Sequence, residues 1–150
     1  MSMKQMPEMT EAEEIVWLLS EAFRRSRQMV DQVVRDTGIT ATQLGILKRI
    51  EHTPGISRVE LARQNFISPQ AAQVHLATLE TKGLVARRAR DRGKRAVGTH
   101  LTAKGRRVLD ACRVATGPVL EKFVVRLLPE ERRELRELLL QCLDGVPDWP

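Results

Sequence analysis

Two helix-start signals and one helix stop are crowded between Ser57 and Gly83. Ser57 is a favoured N-cap residue, and Glu60 follows at capping-box spacing, so a short helix with Val59, Leu61 and Ala62 inside it is predicted there. Asn65-Phe66-Ile67 makes the turn. Ser68-Pro69 then sets an N-cap serine before a proline at the first helical position, the favoured order. This longer helix runs to Lys82, with Gly83 at the stop. After Gly83 the apolar period changes. Residues 84–90 and 95–101 each read as a strand, Val97, Thr99 and Leu101 alternating inward, with Asp91-Arg92-Gly93-Lys94 as the hairpin tip.

The flanks are helical throughout. Thr10 and Glu13 have capping-box spacing and open a helix to about residue 36, with Ile15, Leu19, Ala22, Phe23, Met29, Val30, Val33 and Val34 on one side. Thr37-Gly38 stops it, and a helix from Thr40 carries Leu44, Leu47 and Ile50 up to Thr53-Pro54-Gly55. Thr102 caps a helix to about residue 126, and Pro129-Glu130-Glu131 opens a last one with Leu135, Leu138, Leu139, Cys142 and Leu143 on its apolar face. Residues 1–9 read as a loose arm. The expected fold is mainly α with a small β-hairpin wing. Helix, tight turn, helix and hairpin is the order of a winged helix-turn-helix, whose second helix enters the major groove of DNA.

The charge falls where such a unit would need it. Ten of the 25 basic residues lie between Lys82 and Arg107, with Asp91 as the single acid among them. That window carries +9 while the whole chain carries +6, leaving 15 basic residues against 18 acidic ones elsewhere. Such local basicity fits a surface that meets a polyanion. Aromatic residues are scarce and tyrosine is absent, which argues against single-strand binding by stacked bases. No stretch reaches the apolar length of a membrane span, and no signal peptide is evident, so the chain is expected in the cytoplasm, with no membrane partner.

The segments Gln43-Leu44-Gly45-Ile46-Leu47, Val59-Glu60-Leu61-Ala62, Leu79-Glu80-Thr81-Lys82-Gly83-Leu84-Val85, Arg95-Ala96, Leu101-Thr102-Ala103-Lys104-Gly105-Arg106 and Leu128-Pro129-Glu130-Glu131 carry a resemblance. Together, over residues 40–143, they resemble the MarR family of bacterial transcription regulators. The resemblance implies a single MarR-type domain over 1–150. Within it, about 40–101 would form the winged helix-turn-helix lobe, and about 10–36 and 102–145 the dimerisation helices. It also implies a homodimer that sets its two lobes in successive major grooves of a near-palindromic promoter site, as a repressor. The long apolar stripes of the terminal helices point independently to a second copy. Two-fold symmetry then implies half-sites about 10 base pairs apart, or a multiple of that.

Within the longer helix, Ala72, Leu76 and Leu79 recur at i, i+4 and i+7 and form the expected buried side. The opposite side holds Gln70, Val74, Ala77 and Thr81, flanked by Gln73 and Thr78. None of these six is charged, which suits base edges: glutamine pairs with adenine, and apolar side chains meet the thymine methyl. An A·T-leaning half-site is expected. Ser68, Pro69, Gln70, Gln73, Val74, Ala77 and Thr78 are the expected base-reading residues. Arg90, Arg92, Lys94 and Arg95 are assigned to the wing, with Arg87 and Arg88 behind them, and Ser57 and Arg58 to the DNA backbone. Two departures from the family pattern stand out. Val74 and Thr78 replace usual arginines, and Gly93 replaces the usual aspartate two residues before the arginine matching Arg95. His75 reads as a semi-buried packing residue.

Many MarR-type proteins release DNA when a small aromatic or phenolic effector binds between the dimer helices and the lobe. The resemblance would place such a pocket among the first helix, the helix from Thr40 and the helix after Thr102. Trp17, Phe23, Arg24 and His52 are possible lining residues, with packing as the alternative for each. Cys112 and Cys142 sit in apolar helical patterns and suggest buried thiols; the family's peroxide-sensing cysteine in the first helix is missing. His52, His75 and His100 have no ligand spacing, so no metal is expected, and no cofactor either. No phosphate-cradling loop, nucleophile elbow or acid–base pair points to an enzyme. The competing readings are a winged-helix protein-interaction module and an RNA-binding adaptor.

Overall fold

The computed structural model describes residues 9–89 and 97–145. Helix α1 (Glu11–Val34) is followed by a 3-10 turn (Arg35–Thr37), α2 (Ala41–His52), α3 (Arg58–Gln64) and α4 (Pro69–Thr81). Strands β1 (Val85–Ala89) and β2 (Val97–Leu101), then α5 (Ala103–Val124) and α6 (Pro129–Asp144), complete the order. The hairpin tip and the strand ends expected over 90–96 lie outside the described residues.

Local chemistry starts most helices. At α1 the Thr10 backbone N–H donates to Glu13 Oε2 (2.8 Å), and the Glu13 N–H donates to Thr10 Oγ1 (3.3 Å). Ser68 Oγ accepts from the Ala71 N–H at 3.1 Å, with Pro69 at the first helical position of α4. The box expected at Ser57 is only half made. Ser57 Oγ accepts from the Glu60 N–H, but the Glu60 carboxylate accepts from Arg63 and Gln64 instead of reaching back. A cation one turn on is a stronger partner than a backbone amide. Gly83 ends α4 with φ +69°, as its stop position requires.

One apolar core joins these elements. Val34, Leu44, Ile46, Leu47, Ile50, Leu61, Leu76, Leu79, Leu84, Leu101 and Leu109 are all buried in it. Ala62 is buried too, but Val59 faces solvent, because α3 turns only one side to the core. The two strands pair antiparallel, Val85 opposite Leu101 and Arg87 opposite Thr99, with Thr99 and Leu101 inward. Ile56 adds an antiparallel bridge to Thr99, which ties the segment after α2 to the sheet. At the join to α5, a Cβ on Gly105 would lie 2.0 Å from the Leu84 carbonyl oxygen, so only glycine lets the helix approach the strand this closely.

The flanking helices are the opposite case. In α1 only Val34 is fully buried, and Ile15, Val16, Leu18, Leu19 and Phe23 are exposed; no residue of α6 is buried. Cys112 is buried under the lobe, whereas Cys142, expected inside a helix interface, is exposed in a single copy of the chain.

Candidate nucleic-acid interface

Helix α4 is fixed from below. Ala72, Leu76 and Leu79 have no accessible surface, so the turn of the helix is set by the core and its other side must face out. Ser68, Pro69, Gln70, Gln73, Val74, Ala77 and Thr81 are exposed there, with Thr78 half-buried at the edge. Thr78 Oγ1 donates to the Val74 carbonyl (3.0 Å) and Thr81 Oγ1 to the Ala77 carbonyl (2.9 Å). Their hydroxyl protons are therefore committed to the helix backbone. The exposed face holds amides, methyl groups and small side chains, and no charge. His75 is half-buried, in keeping with a packing role.

Arg58, at the first position of α3, reaches across to α4: its Nη1 donates to Gln73 Oε1 at 3.0 Å. The two residues lie 15 positions apart, and no periodicity within either helix shows that they meet. Ser57 beside it is occupied as the α3 cap.

The basic window divides into two classes. Lys82 Nζ donates to the Gly38 carbonyl, Lys104 Nζ to the Lys82 carbonyl (2.9 Å), and Arg106 to the Leu101 carbonyl (3.4 Å). Arg87 is paired with Glu80 on α4. These cations brace the joints between the segment before α2, α4, the sheet and α5, while their charge still adds to the local field. Arg88 is exposed on β1. Arg90, Arg92, Lys94 and Arg95 lie outside the described residues.

Helices α1 and α2, the end of α3 with the α3–α4 turn, and α5 enclose an open cavity of about 630 Å³. Phe23 and His52 line it, as do the cations Arg27, Lys48 and Arg49. Trp17 and Arg24 do not. Trp17 lies nearly two turns before Phe23, on the exposed stretch of α1, and Arg24 is held on a different side of the helix by Glu21. Gln64 at the end of α3 and the turn residues Asn65 and Phe66 do line the cavity, which no local pattern indicated. Phe66 is 92% exposed and has φ +53°, a left-handed conformation unusual for a bulky residue. Arg27 also lies over the Phe23 ring, 5.7 Å from its centroid. Among the described residues no cluster of His, Cys, Asp or Glu could hold a metal ion, and no helix is long and apolar enough to cross a membrane.

The model of the MarR family matches residues 37–96. The HTH-type transcriptional repressor Rv2887 of Mycobacterium tuberculosis is 30% identical over 113 residues, 75% of this chain and 81% of that protein. Two crystal structures of that MarR family protein are similar to the chain. The complex with DNA gives a TM-score of 0.70 at 27% identity, covering 87% of this chain and 96% of the other. The complex with salicylic acid gives 0.72 at 28% identity, covering 84% and 93%.

Proposed function

This chain belongs to the MarR family of DNA-binding transcription regulators, and on that premise we propose that it works as a homodimeric repressor of a near-palindromic promoter site. The observation that carries this is the exposed face of α4, uncharged and held outward by three wholly buried residues beside a strongly basic hairpin. Gln70, Gln73, Val74, Ala77 and Thr78 read base edges, with Ser68 and Pro69 at the approach. Arg90, Arg92, Lys94 and Arg95 meet phosphates or the minor groove, and Ser57 and Arg58 hold a phosphate through their main-chain N–H groups at the start of α3, which leaves the Arg58 side chain to other partners. Residues 40–101 form the DNA-binding lobe, and 10–36 and 102–145 the dimerisation helices of a single domain. A dimer on a promoter excludes polymerase by occupancy. Such a regulator works where the DNA is, in the cytoplasm, and carries out no catalysis.

The 630 Å³ cavity suits a small aromatic or phenolic acid. Aromatic and aliphatic side chains supply an apolar wall, and Arg27, Lys48 and Arg49 supply positive charge for a carboxylate. An occupant would touch α1 on one side and the turn leading into α4 on the other, and so would bear on the angle of the base-reading helix. The salicylic acid complex of the mycobacterial relative supports this class of effector.

Selection of random duplex DNA by the purified protein tests the reading. A two-fold symmetric motif is expected, with half-sites about one helical turn apart. Binding should weaken steeply with salt, by roughly one unit of log–log slope for each phosphate neutralised. A phenolic carboxylate should lower occupancy of the recovered duplex. Recovery without a motif would reduce the protein to a non-specific basic surface. No recovery at all, at low and moderate salt, would favour a protein-interaction module, and failure of duplex to compete with RNA would favour an RNA adaptor.

A further inference from the structure

The contact between Arg58 and Gln73 joins the first helix of the helix-turn-helix to the face that reads bases. A guanidinium carries only donors. The amide atom facing it must therefore be the oxygen, and the orientation of the Gln73 amide follows from chemistry alone. Its NH₂ group is turned away from Arg58. A glutamine that pairs with adenine uses both ends: Oε1 accepts from N6 while Nε2 donates to N7. Here one of the two lone pairs of Oε1 already accepts from a cation in a charge-assisted bond, which makes the oxygen a poorer acceptor for a second donor.

What the pair offers a base is therefore donors, the Gln73 amide N–H groups beside the remaining guanidinium N–H groups. The major-groove edge that presents two acceptors and no donor is that of guanine, at N7 and O6. Adenine sets a donor beside its acceptor, and thymine sets a methyl beside its one acceptor. We propose that Arg58 determines specificity by holding Gln73 Oε1, so that the two side chains together read guanine at one position of each half-site. The proposal rests on α4 being the base-reading helix. Val74 and Ala77 keep their fit to thymine methyl groups, so the guanine is a single fixed position within a half-site that otherwise leans to A·T.

The test is duplex selection with the full chain, its Arg58→Leu variant and its Gln73→Ala variant. Arg58 and Gln73 are both exposed, so neither change opens the core. The unaltered chain should prefer guanine over adenine at one half-site position by roughly 5- to 150-fold, the discrimination of a good bidentate contact. Arg58→Leu frees Oε1 and should move that same position toward adenine, whereas Gln73→Ala should flatten it. Uniform weakening by Arg58→Leu, with every position unchanged, would show Arg58 to be a phosphate contact and overturn the proposal. So would a motif in which Gln73→Ala alters an A·T position and Arg58→Leu alters none. A wild-type selection with no motif at all would instead strike at α4 as the reading helix.

Discussion

In the winged lobe Leu47, Leu61, Leu76 and Leu79 are wholly buried, whereas in α6 Leu138 is 51% and Leu143 68% exposed. Both sets lie on helices, and their residue type is the same. The difference is what stands opposite. Three helices, a small sheet and one end of α5 close on each other in the lobe, but among the described residues α6 meets the end of α5 in a shallow groove lined by Val124, Leu127, Leu135, Leu139 and Leu143. Helix α1 crosses from one regime to the other along its length. Val30, Val33 and Val34 belong to the lobe core, while Ile15, Val16, Leu18 and Leu19, nearer its start, face outward. A core complete within one chain thus carries α4, the helix proposed to read DNA. The flanking helices expose a surface that no described residue covers, and the proposed second copy covers it with the same stripe.

The sharpest way to break this contrast is to open the lobe. Leu76→Ala removes a buried side chain that anchors α4 from beneath, at a cost of about 2–5 kcal/mol. A urea melt should show that loss, and DNA binding should fall with it, because α4 loses its seat. A change under about 1 kcal/mol would mean that the site repacks and the lobe is not the closed core described here. The complementary change is Leu138→Glu on α6. In a single chain this position is half exposed and the change is mild, but in a dimer it would bury a charge. Sedimentation should show the monomer–dimer midpoint raised roughly tenfold or more, with helical content in the lobe retained. An unchanged midpoint would remove α6 from the interface.

The same contrast explains what was legible in the sequence. Ser68-Pro69, Gly83 and the Ala72, Leu76, Leu79 spacing are local signals, and each corresponds to a feature of the fold. The apolar stripes of α1 and α6 were legible as surplus, because a small lobe cannot cover them. What stayed hidden is non-local. Arg58 meets Gln73 across the turn, Ile56 bridges Thr99, and Lys82 reaches Gly38 from 44 positions away. The charge count could not separate cations that brace joints from cations proposed to meet DNA, since both read as Lys or Arg. Spacing also marked Ser57 and Glu60 as a reciprocal box, yet Arg63 at the next turn takes the carboxylate. A cavity does lie among the three helices where an effector pocket is expected, but its wall at Asn65 and Phe66 comes from a segment that pattern alone marks only as a turn.

The smallest effect belongs to the ionic surface of α1. Hydrogen bonds from Arg24, then Arg25, hold the Glu21 carboxyl down at about 2, against an ordinary value of 4.5. A carboxylate with a depressed folded value stabilises the fold above its unfolded value and loses that contribution as the pH falls through the folded one. The window is therefore from about 4.5 down to about 2. Because the three side chains meet solvent, screening keeps the contribution small. Glu21→Gln should lower the melting temperature slightly at neutral pH, and the gap from the unaltered chain should close progressively across that window, at fixed protein concentration and low salt. High salt should narrow the gap at neutral pH as well. A gap that stayed constant from neutral pH to pH 2 would mean that Glu21 contributes through packing of its stem, and that its charge adds nothing measurable.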